Sequence, residues 1–153
     1  MCSAYDYKKG GLYLDYEESL QYISEFPRVK KEASLDGMRA LLKELGSPEK
    51  ELKTINVAGT NGKGSTVAML SSILSTAGYK TGRYVSPYVL EFRERMMING
   101  KMIGRKCLAK ILSEVKEKAD VLSEKGILFN AFDITTAAAF CWFANEKCDI
   151  VVL

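Results

Sequence analysis

The stretch Gly59-Thr60-Asn61-Gly62-Lys63-Gly64-Ser65-Thr66 has the residue types of an oxyanion cradle. Glycines at 59, 62 and 64 let successive backbone N–H groups converge on an anion without interference from Cβ atoms. A helix starting near Lys63 adds its positive N-terminal dipole. Lys63 supplies a mobile cation over the terminal phosphates of a nucleotide, and Ser65 and Thr66 carry hydroxyls for phosphate or metal. The turn is two residues shorter than the G-x-x-x-x-G-K-[ST] pattern, and a glycine follows its lysine. The competing reading is a tight structural connection with Lys63 on the surface. Turn chemistry alone accounts poorly for three glycines around one lysine between a strand and a helix.

The elements that must position this turn are legible around it. Thr54 to Ala58 reads as a short strand, and Lys63 to Ala77 as a helix with a stripe of Val67, Leu70, Ile73, Leu74 and Ala77 ending at Gly78. Thr81 to Val85 is a second β-prone run, broken by Ser86-Pro87. Asn99-Gly100, set between apolar residues from Met96 to Ile103, predicts a type I′ hairpin, because both central positions need positive φ. An amphipathic helix carries Leu108, Ile111, Leu112, Val115, Ala119 and Leu122 and meets Gly126. A more apolar helix, Asp133 to Asn145, precedes Asp149 to Leu153, a strand apolar on both faces. Upstream, helices are expected over Asp15 to Phe26, and from Ser34 as cap through Leu35, Met38, Leu41, Leu42 and Leu45 to Gly46, with Ser47 to Lys53 as a loop. Strands alternating with helices imply an α/β fold on a parallel sheet.

At 153 residues, 47% of them apolar and 27% charged, the chain has the balance of one globular domain. The net charge of +3 comes from scattered basic residues, which argues against nucleic acid as a partner. Arg28-Val29-Lys30-Lys31 reads as a solvated turn. Tyr5, Tyr7, Tyr13 and Tyr16, interleaved with Lys8 and Lys9, read as a packed segment rather than a base-stacking platform. No histidine is present, which excludes His-based triads and His-containing zinc sites. Cys2, Cys107, Cys141 and Cys148 form no C-x-x-C pair and read as reduced thiols. The polar N-terminus lacks a signal-peptide core, and the longest apolar run, Ala137 to Ala144, is too short for a bilayer. A cytoplasmic protein without a membrane partner is expected.

"VAGTNGKGST", "GYKTGRYVSP" and "FRERMMINGKMI", with "SLDGMRALLKELGSPEKELKTI" upstream and "FDITTAAAFCWFANEKCDIVVL" downstream, resemble folylpolyglutamate synthase, often bifunctional as dihydrofolate synthase, of the Mur ligase superfamily. The resemblance covers nearly the whole chain but only the first part of a family member. It implies a P-loop NTPase-like sheet of the Mur ligase central-domain type. It also implies ATP and Mg2+ as cofactors, and folate or dihydropteroate and L-glutamate as substrates. Gly59, Thr60, Asn61, Gly62, Lys63, Gly64 and Ser65 match the ATP phosphate loop, with Lys63 catalytic. Ser86 matches a magnesium ligand, Phe132 and Asp133 a substrate-contacting segment, and Arg95 the arginine of a loop motif before the hairpin. Read without the resemblance, Ser86 is a turn residue before proline, Phe132 a core aromatic and Asp133 a helix N-cap. Asn56 and Tyr88 stand where family members usually have histidine.

The domain expectation is an incomplete ATP-binding domain over 1–153 with an N-terminal helical segment, 1–53. The acidic metal ligand, glycine-rich segment and C-terminal ligase domain of the family would lie beyond Leu153. On that reading the chain by itself binds nucleotide weakly, does not turn over, and self-associates through exposed apolar surface. Two alternatives stand beside folate ligation. One is a peptidoglycan-type Mur ligase, which normally places a larger domain before the loop. The other is a catalytically silent nucleotide-binding piece.

Overall fold

The computed structural model describes residues 13–28 and 34–153. Cys2, Tyr5, Tyr7, Lys8, Lys9 and the Val29-Lys30-Lys31 part of the basic cluster lie outside them. Helix α1 (Tyr16–Ser24) opens on a capping box, in which Asp15 accepts from Glu18 N at 2.8 Å and Glu18 accepts from Asp15 N at 2.7 Å. The N-cap of helix α2 (Asp36–Glu44) is Leu35 rather than the expected Ser34, whose Oγ still accepts from Asp36 N at 3.0 Å. Leu35 is 63% exposed and so leaves the stripe assigned to it, while Leu41 and Leu42 are buried. The expected loop before the first strand contains a 3-10 turn, Pro48–Glu51.

Strands β1 (Thr54–Ile55), β2 (Thr81–Tyr84), β3 (Met96–Ile98), β4 (Lys101–Met102) and β5 (Ile150–Val152) form one sheet in the order β1-β5-β2-β3-β4. β5 runs parallel to both β1 and β2, with Val151 opposite Thr54 on one side and Gly82 on the other. The expected hairpin extends the same sheet in antiparallel sense, so the sheet is mixed rather than wholly parallel. Asn99 and Gly100 take φ of +46° and +75°. Asn99 Oδ1 accepts from Thr81 N at 2.8 Å and Ser75 Oγ at 3.1 Å, which ties the hairpin to β2 and to the last turn of the helix that precedes β2. The first strand is shorter than expected, although Val57 N still donates to Leu153 O at 2.8 Å.

Helix α3 (Lys63–Thr76) joins β1 to β2, while α4 (Arg105–Glu124) and α5 (Ala131–Asn145) lead from the hairpin to β5. Alternation along β2 assigns the two faces of the sheet. Tyr84 bonds Thr136 of α5 at 3.1 Å and Gly82 lies under Phe143, whereas Thr81 and Arg83 face the α3 side. α5 is apolar on nearly every side because it lies inside, between the sheet and α1, α2 and α4. The helices of the expected 1–53 segment therefore share one core with the sheet layers. Tyr22 Oη donates to Asp120 Oδ1 at 3.1 Å and Leu14 N to Ser113 Oγ at 2.9 Å, which fastens α1 to α4.

α3 departs from its expected stripe. Only Val67 is buried, Leu70 and Leu74 are half-buried, and Ile73 and Met69 are 63% and 59% exposed. Its inner face packs chiefly on β2 and β5, and among the described residues no second layer covers the outer one. Cys107, Cys141 and Cys148 are buried and form no disulfide. Burial pushes Cys141 and Cys148 up to about 12, so they behave as small apolar groups. Among the described residues no helix is long and apolar enough to cross a membrane.

Candidate functional site

The glycine turn leaves β1 and ends at Gly62, the N-cap of α3, whose φ of +76° suits glycine; Gly59 has φ +148°. Gly62 offers no side chain to cap the helix, so the N–H groups of its first turn remain available to a ligand or to water. The ammonium of Lys63 donates to the carbonyl oxygens of Gly59 and Thr60, the latter at 3.1 Å. Lysine and loop thus close on one another at an exposed position.

A cleft of about 750 Å3 brings Thr60, Asn61, Gly62, Lys63 and Gly64 opposite Ser86, Tyr88 and Arg83. Ser65, exposed in the first turn of α3, does not line this cleft. A second cleft, about 590 Å3, lies across the Ser86-Pro87-Tyr88 strip and is lined by Phe132, Phe92, Arg95 and Arg28. The strip bounds both clefts. Ser86 Oγ accepts from Arg95 Nη1 at 2.7 Å, and the same guanidinium lies 5.2 Å from the Tyr88 ring and 5.4 Å from that of Phe92. Tyr88, lacking a near-neutral nitrogen, thus offers a π-face to a cation.

Phe132 is half-exposed in the second cleft, with its ring 6.1 Å from that of Tyr84. Its neighbour goes elsewhere. Asp133 is buried, and its carboxylate accepts from Asn130 N at 3.0 Å while Asn130 Oδ1 accepts from Asp133 N at 2.8 Å. The N-cap is Asn130, so Asp133 is the third residue of α5 and the closing half of a capping box. The structure brings Phe132 to the cleft and gives Asp133 to the helix start that holds it there. Asn56 is exposed just beyond β1.

Three further residues shape these clefts. Arg28, expected on a solvated turn, lines the second one; membership of a basic cluster was its only signal. Arg83 interrupts an otherwise uncharged strand and lines the first cleft. Glu94 organises the strip's far end, accepting from Val89 N at 2.8 Å, Leu90 N at 3.1 Å and Glu91 N at 3.0 Å. The Glu91-x-x-Glu94 spacing of a capping box would have revealed it. Val89 and Leu90, 86% and 89% exposed, are held in place by these bonds rather than by packing.

The Val89 N–H leads the other two in lowering the Glu94 carboxyl below its ordinary 4.5. Because the folded value is depressed, this ordering is complete above 4.5 and is lost as pH falls through the lower folded value. The amides of Val89, Leu90 and Glu91 are expected to stay protected from hydrogen exchange at pH 5 and to lose protection only on acidification below the ordinary carboxyl value of 4.5. Glu94→Gln should abolish that dependence. Protection that is flat with pH in the unsubstituted chain would show that Glu94 does not hold the loop.

No family model matches the chain. It is 35% identical over 143 residues to the dihydrofolate synthase/folylpolyglutamate synthase of Bacillus subtilis, covering 92% of this chain and 33% of that protein. The crystal structure of folylpolyglutamate synthase from Thermotoga maritima superposes with a TM-score of 0.84 at 38% identity, covering 90% of this chain and 32% of the other. An FPGS–AMPPCP–folate complex gives 0.86 at 31% identity, covering 92% and 35%. The chain spans about a third of the length of the curated relatives it matches. By sequence and by fold the chain belongs to the folylpolyglutamate/dihydrofolate synthase family.

Proposed function

We propose that this chain supplies the ATP-binding part of a ligase that joins L-glutamate to a folate or to dihydropteroate. The observation that carries the reading is the shared wall. One strip, Ser86-Pro87-Tyr88, separates a phosphate-loop cleft from a cleft of aromatic rings and guanidinium groups. Flat heteroaromatic acids suit the second cleft, where Phe132 and Phe92 offer ring faces and Arg95 and Arg28 offer charge. A carboxylate placed there meets the terminal phosphate of a nucleotide across Ser86. In such a ligase the carboxylate oxygen attacks the γ-phosphorus, ADP leaves, and the amine of glutamate then displaces phosphate from the acyl phosphate to form the amide.

In this reading the loop from Gly59 to Ser65 holds the polyphosphate through backbone N–H groups, and Lys63 turns its ammonium from the Gly59 and Thr60 carbonyls towards it. Phe132 contacts substrate, and Asp133 positions it through the cap. Among the described residues no cluster of three or more Cys, Asp or Glu could hold a metal ion. Glu94, the carboxylate lining the first cleft, is engaged with backbone amides. That donor set fits a magnesium ion carried by the nucleotide, which keeps water and phosphate oxygens and takes few ligands from protein. Ser86 Oγ, with a lone pair left beside its bond from Arg95, is the oxygen that would hold it, and the ion would neutralise phosphoryl charge.

The folate relatives favour this reading over a peptidoglycan-type ligase, and the domain arrangement over 1–153 is proposed on the same ground. The test uses the isotopically labelled chain. ATP with Mg2+ should shift amides from Gly59 to Ser65, folate or dihydropteroate should shift those around Tyr88, Arg95 and Phe132, and both should shift Ser86. Ser86→Ala should raise the magnesium concentration needed for the ATP response several-fold, in line with the loss of one oxygen ligand. Folate shifts confined to another face would overturn the substrate cleft. An unchanged magnesium midpoint would return Ser86 to a turn residue.

A further inference from the structure

Arg83 lies on β2 between Gly82 and Tyr84 and faces the α3 side of the sheet. It lines the phosphate-loop cleft and also a smaller cleft of about 260 Å3 against the serine-rich side of α3. Its guanidinium is poorly matched where it stands. Nη2 donates to the thioether of Met97 at 2.8 Å, a weak acceptor, and Nε is buried without a hydrogen-bond partner. Among the described residues no carboxylate lies within ion-pair distance of it. Glu94 lines the same cleft, but its oxygens accept from three backbone amides.

A half-buried arginine with so little to bond costs stability, and an apolar side chain of similar length would suit the free protein better. Lys63, the other cation of this cleft, is satisfied by loop carbonyls and needs only to turn. Arg83 has a fork of donors, and a phosphate group accepts such a fork with two parallel bonds that a sulfur atom does not provide. It stands three residues before Ser86, on the strand that leads into the shared strip.

We propose that Arg83 is a second polyphosphate-binding residue, which exchanges the Met97 sulfur for an oxygen of the β- or γ-phosphate when a nucleotide occupies the cleft. This rests on reading Gly59 to Ser65 as the phosphate loop. It adds a cation from the sheet to the one from the turn, so the polyphosphate is gripped from two elements.

The test compares ATP with AMP on the 153-residue chain by amide-shift titration at low and high salt, for the unsubstituted chain, Lys63→Ala, Arg83→Met and Arg83→Lys. Arg83→Met should weaken ATP binding by about tenfold, in keeping with the loss of a charge-assisted pair. It should leave AMP binding unchanged and flatten the salt dependence of ATP binding. It should also raise the melting temperature of the free chain by about 2–4 °C, which a purely structural arginine would not do. Arg83→Lys should retain the salt dependence but lose part of the affinity, and it supplies the reading if the methionine variant does not fold. Unaltered ATP affinity in Arg83→Met, with Lys63→Ala still defective, would overturn the role of Arg83 and leave the loop standing. An unsubstituted chain that binds ATP no better than AMP would overturn both.

Discussion

Lys63→Ala is expected to lower ATP-dependent glutamate addition by about a thousandfold, the scale of removing a donor aimed at transition-state charge. The vehicle is a chimaera in which this segment replaces the matching third of the Bacillus subtilis relative, since the chain covers 33% of that protein. Phosphoryl transfer requires little covalent chemistry from the protein and depends on positioning and charge neutralisation, so one cation over the terminal phosphates counts heavily. Lys63 contributes little to the fold. It is exposed, and among the described residues its ammonium bonds only the carbonyl oxygens of Gly59 and Thr60. The melting curve should therefore move little while turnover at saturating ATP collapses. Near-normal turnover removes Lys63 from the mechanism, and a variant that unfolds makes it a staple of the turn.

Gly82→Val should destabilise the chain by about 3 kcal/mol, at the upper end of core overpacking. A Cβ built at Gly82 already lies 2.8 Å from Phe143 Cδ1 and 3.1 Å from Val151 Cγ2. Neither neighbour yields easily, because Phe143 and Val151 are fully buried and Phe143 lies against Trp142 with centroids 5.3 Å apart. The gain in strand propensity from valine, within about 1 kcal/mol, is too small to offset the clash. Denaturant unfolding should show the loss, and Phe143→Leu in the same chain should recover part of it through non-additivity. Strictly additive effects would mean that the ring does not set the limit.

The features legible in the sequence are those enforced by local geometry. Asn99-Gly100 must take positive φ to turn a tight hairpin, and it does; Gly46, Gly78 and Gly126 end their helices with φ of +85°, +94° and +84°. Helix α4 was legible because its apolar period matches one buried face, from Leu108 to Leu122. What escaped depends on partners distant in the chain. The stripe of α3 looks like a core face, but burial is decided by what covers a helix, and Ile73 has little over it. Asp133 is a plausible cap residue, yet Asn130 takes that position because its side chain and that of Asp133 satisfy one another's backbone. At the site, the glycine turn was readable as chemistry. The roles of Arg83 and Glu94 were not, since they follow from which side of a strand faces a cleft and from amides folded back onto a carboxylate.

The strip from Ser86 to Tyr88 has no private side. Arg95 bonds Ser86 Oγ at 2.7 Å and lies 5.2 Å from the Tyr88 ring, so a charge entering either cleft pulls on an atom that borders the other. Any coupling that this strip carries between two ligands is reciprocal. The factor by which nucleotide alters the affinity of the second cleft must equal the factor by which the second cleft's occupant alters that of nucleotide. Which cleft fills first would then depend on each ligand's concentration relative to its affinity, while the coupling between the two is the same for either order.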